Sequence, residues 1–308
     1  MSEPPADLAV IGYFAAVQRL MLPCALADVG GGKAGVQLGP TLTADAPLVG
    51  LDLAGRGWSV AAHLTHPGRG RDQQAAIALL EDRIERLTLG PDCGAPMEIQ
   101  LQHIDREVVW YCDPGPGLRS LAELGVVAPA ARNLYLDLFD WLEPLICVDL
   151  RHAPTLVFLN GGLRPCDSLA PLIQRWRPRI QGRLVLQVSA AGITDPRELA
   201  ARADLIVEMG ADLAVVTASD NGLAIAARNA SAVHRPARDV TVLDASGAGA
   251  AASAALIAML DRQPDAAPAA LVEVALDAGA ARCTVDGAVD PASAMRWQLF
   301  RETGGMEQ

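Results

Sequence analysis

Three apolar runs, Thr155–Leu159, Leu184–Val188 and Leu213–Thr217, constrain this chain more than any other feature. Each is dominated by β-branched and aliphatic side chains, the pattern of a strand buried on both faces. The segment 196–209 between the last two runs reads as a helix. Strands that alternate with helices predict a mostly parallel, doubly wound α/β sheet with helices on its faces. Leu8–Gly12 adds a buried opening strand and Trp58–Leu64 another, while 48–57, 73–87 and 133–142 read as helices. Met97–Cys112 is different: Ile99 and Leu101, then Val108–Tyr111, flank a polar Asp105-Arg106-Glu107 turn and suggest a hairpin. With β-rich residues 29–38 it predicts a small β lid, its strands near 13–20, 33–40 and 97–112. One domain over residues 1–308 is expected from the length.

Near the C-terminus, Val240, Val242 and Leu243 read as a short strand before Ser246-Gly247-Ala248-Gly249-Ala250. The glycines permit a sharp turn and a close approach to the main chain. The alanine-rich run from Ala250 to Leu260 is a strong helix former. A turn entering a helix presents amide N–H groups and the positive end of the helix dipole, so Ser246–Ala250 is a candidate anion or phosphate site. A tight strand-to-helix joint is the competing reading of the same residues.

Asp244-Ala245-Ser246-Gly247-Ala248-Gly249-Ala250 resembles the Asp-Thr-Thr-Gly-Ala-Gly-Asp turn of the ribokinase-like (PfkB) carbohydrate kinases. Leu213–Gly222 resembles that family's nucleotide-lining strand and turn, with Thr217, Ser219 and Gly222 at its positions. Asp277–Ala281, containing Ala278 and Gly279, through Asp286–Ala288 resembles the segment that closes the adenine pocket. Leu53–Gly57 followed by Val60 resembles the end of the N-terminal signature helix. The resemblance implies a ribokinase-like fold, ATP and magnesium as cofactors, phosphotransfer to a sugar or nucleoside, and pairing through the lids as a homodimer.

It also marks departures. Ala250 stands where the family has its catalytic base. Val17 falls near the substrate-binding Asp, Thr43-Ala44 and Leu48 replace Gly-Gly and Asn, Ser219 replaces a glycine, and no Asn-x-x-Glu lies between Val188 and Thr217. A methyl group accepts no proton, and sugar hydroxyls left unpaired in a closed site are costly. The expectation is a kinase homologue without standard phosphotransfer that binds a small phosphorylated or nucleoside-like molecule. Two alternatives stand beside it: a true kinase seen as a base-to-Ala variant or using another base, and new chemistry at His63 or His66.

Those histidines lie in His63-Leu64-Thr65-His66-Pro67-Gly68-Arg69, where imidazoles and a guanidinium suit an anion or proton transfer, and where a solvated loop is the plainer reading. Asn160-Gly161-Gly162 ends a strand at the sheet edge favoured for ligands. Gly30-Gly31-Gly32-Lys33 fails as a P-loop, because Ala27 and Ala34 replace its first Gly and its Ser or Thr. A net charge of −11 argues against nucleic acid and anionic membranes as partners. Scattered cysteines without a Cys-x-x-Cys pair, and an acidic N-terminus unlike a signal peptide, suggest a cytoplasmic protein with no metal site.

Overall fold

The computed structural model describes residues 4–22, 36–92, 94, 96–103, 108–113, 128–146, 148–150, 152–190 and 192–285. In chain order the strands are β1 (Ala6–Gly12), β2 (Ala15–Leu22), β3 (Val36–Thr43), β4 (Val60–Leu64), β5 (Arg86–Leu89), β6 (Met97–His103) and β7 (Val108–Asp113). They continue with β8 (Ala131–Asp137), β9 (Leu156–Asn160), β10 (Arg183–Ser189), β11 (Leu213–Thr217), β12 (Leu223–Ala227) and β13 (Ala230–Arg235). The helices are α1 (Asp45–Gly55), α2 (Arg71–Arg83), α3 (Leu169–Trp176), α4 (Pro196–Glu208), α5 (Ala248–Arg262) and α6 (Pro268–Cys283).

A 9-stranded sheet runs in the order β13-β12-β11-β10-β9-β8-β1-β4-β5. From β5 to β11 every neighbour is parallel, and the antiparallel β12 and β13 close one edge. Two apolar layers sandwich it. Leu8, Val10, Tyr135, Phe158 and Val215 pack toward α1, α2, α5 and α6. Ala9, Ile11, Leu134, Val157 and Val216 pack toward α3 and α4. Burial on both faces is why the central strands carry no polar alternation. The strands expected for a lid form a separate 4-stranded sheet, β3-β2-β6-β7, with β2 and β6 parallel and the β2–β3 and β6–β7 pairs antiparallel.

Helix starts follow local chemistry. The Asp195 carboxylate accepts from the Arg197 amide and Pro196 opens α4, a side-chain cap followed by the residue that needs no hydrogen-bond donor there. Pro47 in the first turn of α1 and Pro268 at the start of α6 are tolerated for the same reason.

Three sequence expectations are corrected. Residues 133–142 do not form a helix: Ala131–Asp137 is β8, held between β1 and β9. An apolar run of that length suits either state, and two flanking strands decide it. The helix expected over 73–87 ends at Arg83, and Arg86–Leu89 joins β4 as an edge strand. Val240–Leu243 is not a strand, and Leu243 is 56% exposed. That segment instead runs along α6, where Arg238 pairs with Glu273 and Asp277 and the Leu243 amide donates to the Cys283 carbonyl. The Gly30–Lys33 stretch, the Asp105–Glu107 turn and Asp286–Ala288 lie outside the described residues. Among the described residues no helix is long and apolar enough to cross a membrane.

Candidate functional site

Right-handed crossovers in a parallel sheet bring helix N-termini and strand C-termini to the same edge. Here β1, β8, β9 and β10 end at Gly12, Asp137, Asn160 and Ser189, and α1 and α5 begin beside them and pack on each other. The polar side chains on this edge form two connected groups.

The first group surrounds Asn160, which is buried at the end of β9. Its Nδ2 donates to Asp45 Oδ2 at 2.6 Å, to the Tyr135 hydroxyl at 2.9 Å and, more weakly, to Asp137 Oδ1 at 3.3 Å. Its Oδ1 accepts from the Gly162 amide at 3.1 Å, which fixes the amide orientation. Asp137 is fully buried, and its Oδ2 accepts from the Ala46 amide at 3.0 Å, in the first turn of α1. Tyr135, also fully buried, stacks on Phe158 with ring centroids 5.6 Å apart. Asp45 is the least buried polar residue of the group.

Burial, reinforced by the neighbouring Asp45 charge, pushes the Asp137 carboxyl well above the usual carboxylate range, against the lowering effect of the Ala46 amide. Burial also raises Asp45, with the Asn160 hydrogen bond opposing it. Burial raises the Tyr135 phenol in turn, and the charges of Asp137 and Asp45 push it further. Two carboxyls joined through one amide hold a proton between them, and the fully buried Asp137 is the better place for it.

Close packing makes the group rigid. A Cβ on Gly12 would lie 2.4 Å from Asp137 Oδ2 and 2.6 Å from the Ala46 Cβ, so only glycine lets β1, β8 and α1 meet at this point.

The second group surrounds the Ser246–Ala250 turn. Gly247 has φ 80°, the left-handed conformation glycine adopts without strain, and caps the start of α5. Asp244 is buried and accepts from the Ser246 amide at 2.8 Å. The Arg282 guanidinium, 3% exposed, lies 3.5 Å from the Asp244 carboxylate and donates to the Val285 carbonyl. Gly279 of α6 packs against Ala248, the first residue of α5. Ser246–Ala250 and Ala278–Gly279 are therefore adjacent. Ala250 is 1% exposed and belongs to the apolar core.

Two links join the groups. The Gly161 amide donates to the Gln187 carbonyl, and the Gln187 side chain meets Ser253 of α5, whose Oγ also lies 2.9 Å from the Gly249 carbonyl. The Leu48 Cδ1 of α1 comes within 3.2 Å of where a Gly247 Cβ would sit. Asp45 lies one turn before Leu48 on the same side of α1. Leu48 thus links the Asp45 end of α1 to the α5 turn.

Other candidate residues sit elsewhere. Thr217 ends β11, and Ser219 and Gly222 shape the β11–β12 hairpin, both at positive φ. A Cβ on Gly222 would meet the Arg235 carbonyl at 2.0 Å, so that glycine lets the turn pass against the end of β13. His63 lies within β4 rather than in a loop, and burial lowers its imidazole pKa. His66 Nδ1 accepts from the Gly68 amide at 3.0 Å, and Arg69 is paired with Asp92 beyond β5. Among the described residues no three His, Cys, Asp or Glu side chains are arranged to hold a metal ion. Sequence reasoning found Asn160 but missed Asp45, Asp137 and Tyr135. The last two were hidden inside a segment read as helical.

No family model matches the sequence, and a search among curated proteins found no match. Solved structures do match. A microbiome-derived acarbose kinase superposes with TM-score 0.69 at 16% identity, covering 96% of this chain and 100% of its own. A Burkholderia thailandensis nucleoside kinase in complex with inosine gives 0.68 at 15% identity, covering 96% and 97%. A Cryptococcus neoformans ribokinase in complex with ADP gives 0.66 at 15% identity, covering 96% and 99%. The mostly parallel sheet flanked by helices and the superposition over 96% of the chain agree: the chain has the ribokinase-like fold.

Proposed function

We propose that the protein binds a small polar molecule in the cleft between α1 and α5 and does not carry out standard phosphotransfer. Ala250 carries this reading. In the first turn of α5, where the family resemblance calls for a carboxylate, there is a buried methyl group, while the glycine turn before it persists. A hydroxyl without a proton acceptor in line with it is a poor nucleophile. The Gly247 and Gly249 amides and the α5 dipole suit a phosphate, and Asp45 suits ligand hydroxyls. A nucleotide or sugar phosphate is the natural occupant, given the ADP and inosine of the similar structures. The second copy expected at the lid would make the working unit a homodimer.

The test pairs binding with turnover. Nucleotides and sugar phosphates are titrated while the melting temperature is followed. A ligand at about 100 times its Kd stabilises the folded form by about 2.7 kcal/mol. The expected result is a raised melting temperature with no phosphate transfer from ATP to sugars or nucleosides, by the wild type or by Ala250→Asp. Robust turnover by either sinks the proposal.

One observation favours a second reading. Leu48 links the Asp45 end of α1 to the α5 turn, so a base on α1 could replace the one missing from α5. The acceptor hydroxyl would give its proton to Asp45 as its oxygen attacks the γ-phosphorus of a nucleoside triphosphate, releasing the diphosphate. Turnover that Asp45→Asn abolishes would favour this reading over the first.

A further inference from the structure

Gln187 interrupts the apolar run of β10, and its surroundings explain a polar side chain there. It stands beside Asn160 in the parallel β9–β10 pair, one alternation beyond Val185 and Phe158 of the core layer under α5. Side chains alternate along a strand, so Gln187 faces the α5 side of the sheet. It is only 4% exposed. Burying a carboxamide is costly unless both its oxygen and its N–H donors are matched.

One end is matched. The Ser253 hydroxyl of α5 lies 2.9 Å from Gln187 Oε1 and 2.9 Å from the Gly249 carbonyl. On the main chain, the Gln187 carbonyl accepts from the Gly161 amide at 2.8 Å, which ties this end of β10 to β9. With Oε1 held on Ser253, Nε2 faces the first turn of α5, 3.8 Å from where a Gly249 Cβ would sit. Nε2 has no hydrogen-bond partner among the described residues.

The turn supplies donors of the same kind. The Ala248 amide donates to the Ala245 carbonyl and the Ala251 amide to the Gly247 carbonyl. The Gly249 and Ala250 amides between them have no acceptor among the described residues. A Cβ lies about 2.5 Å from its own backbone nitrogen, so Nε2 is at most about 6 Å from the Gly249 nitrogen. One oxygen, or two oxygens of one phosphate, about 2.9 Å from each donor spans that gap.

We infer that Gln187 recognises the anionic group of the ligand: its Nε2 donates to a phosphate oxygen at the Gly249 and Ala250 amides. Ser253 is the positioning residue that holds the carboxamide with Nε2 toward the turn. The inference rests on the proposed reading that a phosphorylated molecule binds at the start of α5, and it adds the side chain that reads the phosphate.

The experiment titrates the full chain with inorganic phosphate and with ADP while the melting temperature is followed, for the wild type, Gln187→Leu and Gln187→Glu. Leu has similar volume, and Ser253 keeps the Gly249 carbonyl as its acceptor, so Gln187→Leu leaves no buried donor unmatched. Its ligand-free melting temperature is expected to equal or exceed that of the wild type, while its apparent Kd for phosphate and ADP rises at least about tenfold. Gln187→Glu keeps an oxygen on Ser253 but turns a negative charge toward the phosphate, and is expected to abolish the phosphate response. The two signs separate recognition from a structural role, which would lower the ligand-free melting temperature and leave the Kd unchanged. A Gln187→Leu protein that melts well below the wild type, or that keeps the full phosphate response, overturns the inference, as does an undiminished response in Gln187→Glu; the binding reading then still stands. If neither phosphate nor ADP raises the melting temperature of the wild type, both fall.

Discussion

Asp137 offers the sharpest test of the site's physics, because two effects on it have opposite signs. The Ala46 amide at the start of α1 favours its charged form, and a helix terminus contributes at most about 2 kcal/mol of that kind. Complete burial and the Asp45 charge favour the neutral form, and each is capable of larger shifts. The neutral form should win.

Asp137→Ala removes the acceptor of the Ala46 amide and of the Tyr135 hydroxyl, and one acceptor of Asn160. Each buried donor left unmatched costs about 1–3 kcal/mol, so the loss should be about 3–5 kcal/mol with the cavity included. Asp137→Asn keeps the volume and the oxygen facing Ala46. Its new NH2 faces the Asn160 Nδ2 and the Tyr135 hydroxyl, so the substitution should cost about 1–3 kcal/mol near neutral pH, less than Asp137→Ala.

The pH dependence carries the decisive sign. A carboxyl whose folded pKa is raised holds its proton in the native state after the unfolded chain has lost its own. Its stabilisation is therefore complete below the unfolded value of about 4 and is lost as pH rises toward the native titration. The stability of the wild type relative to Asp137→Asn should fall with rising pH through that window, by up to about 1.4 kcal/mol per pH unit. Urea unfolding of both proteins from pH 4 to 8 measures it, with the approximate limits set by the carboxylate range. A wild type that gains on Asp137→Asn as pH rises would refute the reasoning and make Asp137 an anion held by the α1 terminus.

Other changes test the framework around the site. Gly12→Ala places a methyl 2.4 Å from Asp137 Oδ2 and 2.6 Å from the Ala46 Cβ, and should cost about 1–3 kcal/mol in urea unfolding while displacing the start of α1. Gly247→Val forces a β-branched residue to φ 80°, with its Cβ 3.2 Å from Leu48 and 3.3 Å from Arg282. It should cost about 1–3 kcal/mol and abolish any phosphate-induced rise in melting temperature; an undiminished rise would remove the α5 turn from the site. Arg164→Met leaves the Leu138 carbonyl without its donor and Asp140 without its partner, and should destabilise by about 3 kcal/mol, visible as a lower urea midpoint.

Much of the fold was legible in the sequence because its central strands are buried on both faces. The runs at 155–159, 184–188 and 213–217 became β9, β10 and β11 nearly residue for residue. The Gly247 turn and the helix after it were legible for a different reason: a left-handed glycine and an alanine-rich helix are local features that need no distant partner.

What the sequence left open was decided by long-range neighbours. Asn133–Leu142 has enough aliphatic and aromatic residues for a helix, and only its place between β1 and β9 makes its first half a strand. Val240–Leu243 has strand composition, but its backbone and Arg238 find their partners along α6. Asp45 and Asp137, separated by most of the N-terminal half of the chain, meet only because β8 runs beside β1 and α1 starts above them both. A carboxylate's role depends on its burial and on the charge beside it, and in this site both come from residues far away in the sequence.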